Sequence, residues 1–129
     1  QAPFQTFYEK TNGKESPVYA DIIAWWQQLD IMSGKVKMLQ MGPSDAGFPL
    51  HLVVVSNNGD YNFTSIHRNN KRVILINNGI HPGEPDGIDA SMLLVRDIVA
   101  GKVITMELIK YGSTPVLRDS VPSPNKTFL

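Results

Sequence analysis

The chain contains no cysteine. A disulfide scaffold, a thiolate zinc site, an iron–sulfur cluster and a cysteine nucleophile are therefore excluded. Excess charge of either sign is also missing. Twelve Lys and Arg balance twelve Asp and Glu, so there is no electrostatic footprint for nucleic acid or for an anionic membrane. No apolar run approaches the roughly 18 residues of a membrane span. Internal repeats, low-complexity tracts and aromatic ladders are absent, which leaves a plain binding module with little support. Any partner must be recognised by a local site. What is present is a chain of 129 residues, 42% hydrophobic and 19% charged, enough for one domain around one core. Gln1 in place of Met fits a mature chain after signal-peptide removal, hence a periplasmic or extracellular location. It fits an arbitrary boundary equally well.

Residues 1–16 are polar, with the turn pair Asn12-Gly13, and read as an irregular lead-in. Ser16 followed by Pro17 is a helix start, Ser16 as cap and Pro17 in the first helical position. Ile22, Ile23, Trp26, Leu29 and Ile31 then recur at helical spacing, predicting an amphipathic helix over 17–32 that ends near Ser33-Gly34. Trp25 and Trp26 belong to its buried face. Residues 36–41 and 50–56 read as two strands joined through the turn-forming cluster 42–47, a β-hairpin. Residues 61–66 are a candidate short edge strand. The unbroken apolar centre of residues 72–80 is what a strand covered on both faces looks like. Ile88, Met92, Leu93, Val95, Ile98 and Val99 give a second amphipathic helix, stopped by Gly101. Residues 103–108 are a further strand candidate, and 111–129, with Gly112, Pro115, Pro122 and Pro124, look weakly structured.

Chemistry is expected in the loop after the buried strand, because ligands of open α/β sheets collect at the carboxyl ends of strands. His81 and Glu84 lie there. A neutral imidazole nitrogen and a carboxylate oxygen both suit zinc, which lowers the pKa of bound water to about 7 at catalytic sites. Pro82 and Gly83 are placed to turn the backbone so that both side chains point one way. A lone His-x-x-Glu is equally an incidental pair on a surface loop. Its place between an all-apolar segment and a helix favours the metal reading. Asp86 either caps the helix or accepts the second N–H of His81, the cap being the commoner use. Asp89 suits the helix dipole, and Asp45 suits its turn. His51 reads as a sheet-face residue and His67 as solvated. Nothing singles out Arg96 or Arg118 as a carboxylate binder.

The run Asn77-Asn78-Gly79-Ile80-His81-Pro82-Gly83-Glu84 resembles the first metal-ligand motif of the zinc carboxypeptidase family, Gly-x-His-x-x-Glu between a buried strand and a helix. Tyr19 with residues 22–29 resembles that family's early helix. Gly42-Pro43-Ser44-Asp45-Ala46-Gly47-Phe48-Pro49-Leu50 resembles its hairpin turn, with Phe48 where a basic residue is usual. The resemblance covers about residues 17–102. It implies an α/β domain, the N-terminal portion of a mixed-sheet fold in which a β-hairpin and a buried parallel strand are flanked by helices. It also implies zinc held by His81 and Glu84, and a peptide or acyl-amino-acid substrate. The family's second His ligand, general-base Glu, carboxylate-binding Arg, Asn-Arg pair and substrate-binding Tyr have no counterparts here, and residues 103–129 do not match its pattern.

Three expectations follow. The lineage is that of zinc-dependent carboxypeptidase-type amide hydrolysis, with zinc-dependent deacylation of acyl-amino acids as the alternative reaction. The chain by itself is expected to be an incomplete, inactive or poorly active portion, with zinc bound weakly or not at all. An exposed sheet edge is expected to be covered by a homo-oligomer.

Overall fold

The structure, a computed structural model, describes residues 4–81 and 83–102. Four helices and one antiparallel hairpin follow in the order α1 (Phe7–Lys10), α2 (Tyr19–Met32), β1 (Val36–Pro43), β2 (Pro49–Val55), α3 (Phe63–Arg68) and α4 (Asp86–Val99). This mixture of helices with a two-stranded sheet is compatible with part of an α/β domain. The expected strand and tail within residues 103–129, and Arg118, lie outside the described residues.

The lead-in is less irregular than its composition implies. Thr6 and Glu9 form a reciprocal capping box around α1. The Glu9 N–H donates to Thr6 Oγ1 (3.2 Å) and the Thr6 N–H to Glu9 Oε2 (2.9 Å). Helix α2 begins at Tyr19, two residues later than expected, with Val18 at the cap position and no side-chain cap. Ser16 is drawn elsewhere: its hydroxyl donates to Asp89 Oδ2 of α4 (2.6 Å). A bond to a buried carboxylate replaced a local cap.

Trp25, Trp26 and Leu29 are buried along one side of α2, and the two indoles meet edge to face with centroids 4.9 Å apart. They share one core with Val36 of β1 and with Met92 and Val95 of α4. The sheet is in register from Val36 opposite Val55 to Pro43 opposite Pro49, with a bulge between Gln40 and Gly42. Asp30 of α2 accepts the Met38 N–H (3.1 Å), tying helix to sheet.

Two expected strands are corrected. Residues 63–66 of the proposed edge strand 61–66 fall in α3, because Asn62 caps it by accepting the Ser65 N–H (3.0 Å). Residues 72–80 form no ladder with any described residue, and their side chains are exposed instead of covered on both faces. Apolar content states that water is a poor environment, but a strand also needs a neighbour for its N–H and C=O groups. Among the described residues β1 and β2 pair only with each other.

Helix α4 runs two residues further towards the N-terminus than its apolar spacing shows and ends in a Schellman motif. Gly101 N–H donates to Ile98 O (3.0 Å) and Lys102 N–H to Asp97 O (2.9 Å). Gly101 has φ +71°, the left-handed conformation that glycine adopts without steric cost. No helix of the described residues is long and apolar enough to cross a membrane.

Candidate metal centre

The loop that carries His81 and Glu84 is anchored from both sides. On its N-terminal side Asn78 Nδ2 donates to Ser91 Oγ of α4. Gly79 adopts φ +65° against Ile88, so closely that an added Cβ would stand 2.8 Å from Ile88 Cδ1. Only glycine meets both demands. On its C-terminal side the chain enters α4 directly, with the Asp89 N–H bonded to Pro85 O (3.1 Å). Asn78, Ser91 and Ile88 thus position the loop. Asn78 lies within the motif, but its role is not visible in the local sequence because its partner is 13 residues away on a helix face.

Within the loop, His81 Nδ1 stands 3.2 Å from both carboxylate oxygens of Glu84. The chain turns between them at Gly83 (φ +83°), as the sequence pattern requires, while Pro82 lies outside the described residues. Both side chains are well exposed, at 68% and 60%. The pair is therefore an open one, with water access and little desolvation to strengthen the contact.

Asp86 is not the cap. Pro85 holds that position without a side-chain bond, and Asp86 is the first residue of α4, with Asp89 in the same turn. There both carboxylates face the positive end of the helix dipole. The hydrogen bond of His81 Nδ1 goes to Glu84, and none to Asp86 is found among the described residues. Asp89 is committed elsewhere, to Ser16.

Of the other histidines, His51 lies on β2 with Nδ1 3.5 Å from the Tyr19 hydroxyl, which donates to Pro49 O (2.9 Å). His67 is exposed in the last turn of α3. Neither approaches the loop pair closely enough to complete a donor set, and no group of three His, Asp or Glu side chains suited to a metal occurs among the described residues. Arg96 does hold a carboxylate, that of Glu9 in the same chain.

A zinc carboxypeptidase family model matches residues 22–110, more than half of the chain, and covers most of helix α2, the hairpin, the His81 loop and α4. The chain belongs to the zinc carboxypeptidase family. No curated protein and no solved structure gives a match. As a zinc carboxypeptidase family member, the chain is of metallopeptidase lineage, and the family implies zinc. The donors here fit that metal as far as they go. An imidazole nitrogen and a carboxylate converge on one side of an anchored loop, and both are donor types that zinc accepts.

Proposed function

We propose that His81 and Glu84 are zinc ligands of a carboxypeptidase-type hydrolase, and that residues 17–102 form an N-terminal portion of its α/β domain. One observation carries this reading: within the family match, the imidazole of His81 and the carboxylate of Glu84 stand 3.2 Å apart on a loop pinned to α4. Bound zinc supplies Lewis acidity and an activated water to amide hydrolysis. The chain's own residues contribute position. The Asn78–Ser91 bond and the Gly79–Ile88 contact hold the start of the loop against α4, and Gly83 turns Glu84 back towards His81. Glu84 accepts a hydrogen bond from Nδ1 when that nitrogen is protonated, which orients the ring while the site holds no cation.

The substrate class under this reading is the C-terminal residue of a peptide, by family membership. Among the described residues no further His, Asp or Glu joins the pair as a third ligand.

Zinc titration by calorimetry on the chain and on His81→Ala tests the proposal. Binding by the chain that is lost in His81→Ala is the expected result. Heat indistinguishable from buffer, or equal binding by both proteins, overturns the metal assignment.

A further inference from the structure

The dipeptide Asn-Gly occurs three times in the chain, at 12–13, 58–59 and 78–79. An asparagine amide in that setting is open to attack by the next backbone nitrogen, because glycine brings no side chain to hinder the approach. The fold treats the three pairs differently. The Gly13 N–H donates to Tyr8 O at 2.8 Å, which withholds the nucleophile of the first pair. At Asn78 the amide itself is held. Its Nδ2 donates to Ser91, and its Oδ1 lies so near Gly87 of α4 that a Cβ added there would stand 2.6 Å from it.

Asn58 lies in the turn between β2 and α3, and donors gather on its side-chain oxygen. Lys71 Nζ stands 2.9 Å from Oδ1, Ser56 Oγ 3.0 Å and the Asp60 backbone nitrogen 3.4 Å. An ammonium, a hydroxyl and an amide aimed at one carbonyl oxygen draw electron density from Cγ. They also stabilise the anion that forms on that oxygen when a nucleophile adds. The Gly59 N–H rests on Ser56 O at 3.1 Å, a longer bond than that of Gly13, and gives it up as the attack begins.

We propose that Asn58 is a site of self-catalysed deamidation, its amide polarised by Lys71 and Ser56. The backbone nitrogen of Gly59 bonds to Cγ and loses its proton to solvent. The Cγ–Nδ2 bond breaks, and Nδ2 takes up a proton and leaves as ammonia, which closes a succinimide ring. Water then opens the ring at either carbonyl, leaving aspartate or isoaspartate at position 58. Water is the only other reactant. In the isoaspartate product the main chain gains a methylene just before Gly59, where the backbone already packs tightly: a Cβ added at Gly59 would stand 2.8 Å from Gly34 O. The zinc reading is not involved, since neither His81 nor Glu84 takes part.

Peptide mapping by mass spectrometry, over a time course at mildly alkaline pH, follows all the Asn-Gly pairs in one sample of the full chain. Asn58 should convert first, and should lose that lead when the chain is unfolded in urea. Lys71→Met should slow Asn58 about tenfold, the worth of one hydrogen bond to a charged group, with Asn12 and Asn78 unchanged as internal controls of folding. Ser56→Ala should slow it as well. Conversion of Asn58 no faster than that of the other pairs overturns the proposal. So does a lead that persists in urea, or an unaltered Asn58 rate in Lys71→Met, either of which would mean that the dipeptide alone sets the rate. If Lys71→Met alters all the rates through loss of the fold, Ser56→Ala carries the comparison, and an unaltered Asn58 rate there overturns the proposal.

Discussion

Arg96 of α4 donates through Nη1 to Oε2 of Glu9, a residue 87 positions earlier. The same carboxylate oxygen accepts the Thr6 N–H and closes the capping box of α1. One anion thereby caps the start of α1 and ties the lead-in to α4, the helix that follows the candidate metal loop. The Arg96 hydrogen bond holds the Glu9 carboxyl below the usual glutamate range, and Glu9 in turn raises the Arg96 guanidinium.

The sign of the pH effect follows from this. A carboxyl whose folded pKa lies below its unfolded value stabilises the fold at pH above that unfolded value. The contribution is lost as pH falls through the lowered folded value. Urea unfolding at stepped acid pH should show this loss in the chain and a weaker one in Glu9→Gln. At neutral pH, Arg96→Met should cost about 1.5–3 kcal/mol, the range for hydrogen bonds to charged groups. An unchanged acid limb in Glu9→Gln would remove the pair from this role.

Ser16 and Asp89 form the second tie between the lead-in and α4. Asp89 is 5% exposed, and its Oδ1 has no partner among the described residues. Ser16→Ala removes the donor to Oδ2 and should cost about 1–3 kcal/mol. A double-mutant cycle with Asp89→Ala should give a coupling of about 0.5–3 kcal/mol. Additive effects would show that the two side chains do not act together.

Gly79 tests the anchoring of the His81 loop. Gly79→Ala places a Cβ against Ile88 at φ +65°, at a backbone cost of about 1–2 kcal/mol plus the clash. Ile88→Val removes the clashing Cδ1 and should recover only the steric part. Thermal melts of the two single variants and the double variant separate the two contributions. An additive double variant would contradict the contact.

Position on α2 separates core from surface. Leu29 is fully buried at 0%, so Leu29→Ala should cost about 2–5 kcal/mol. Ile31→Ala, two residues on and exposed, should stay within about 0.5 kcal/mol. Denaturant midpoints at constant slope provide the comparison.

Much of the fold was legible because its determinants are local. The hairpin follows from two β-branched runs around a turn-forming cluster, and its strand ends moved by only one or two residues. Helix α4 follows from apolar spacing and from Gly101, whose left-handed φ realises the stop that glycine announces. Of the apolar residues expected to face inward on α2, Trp25, Trp26 and Leu29 are buried, whereas Ile31, part of the same spacing, is exposed. The contact between His81 and Glu84 was also within reach of the sequence, since the two intervening residues, Pro82 and Gly83, leave the side chains few ways to diverge.

Partnership was not legible in the same way. Ser16 carries an ordinary helix-cap signature, yet its hydroxyl reaches a carboxylate 73 residues on, where a buried acceptor gains more from a donor than a solvated helix end does. Residues 61–66 have strand composition, and the Asn62 cap decided for α3. The segment 72–80 is the sharpest case. Its composition determined that it should leave water, but which edge receives it is a property of other residues, and no periodicity within those nine can name them. The candidate zinc site divides along the same line: local spacing brings His81 and Glu84 together, and no periodicity within the loop can name a further donor.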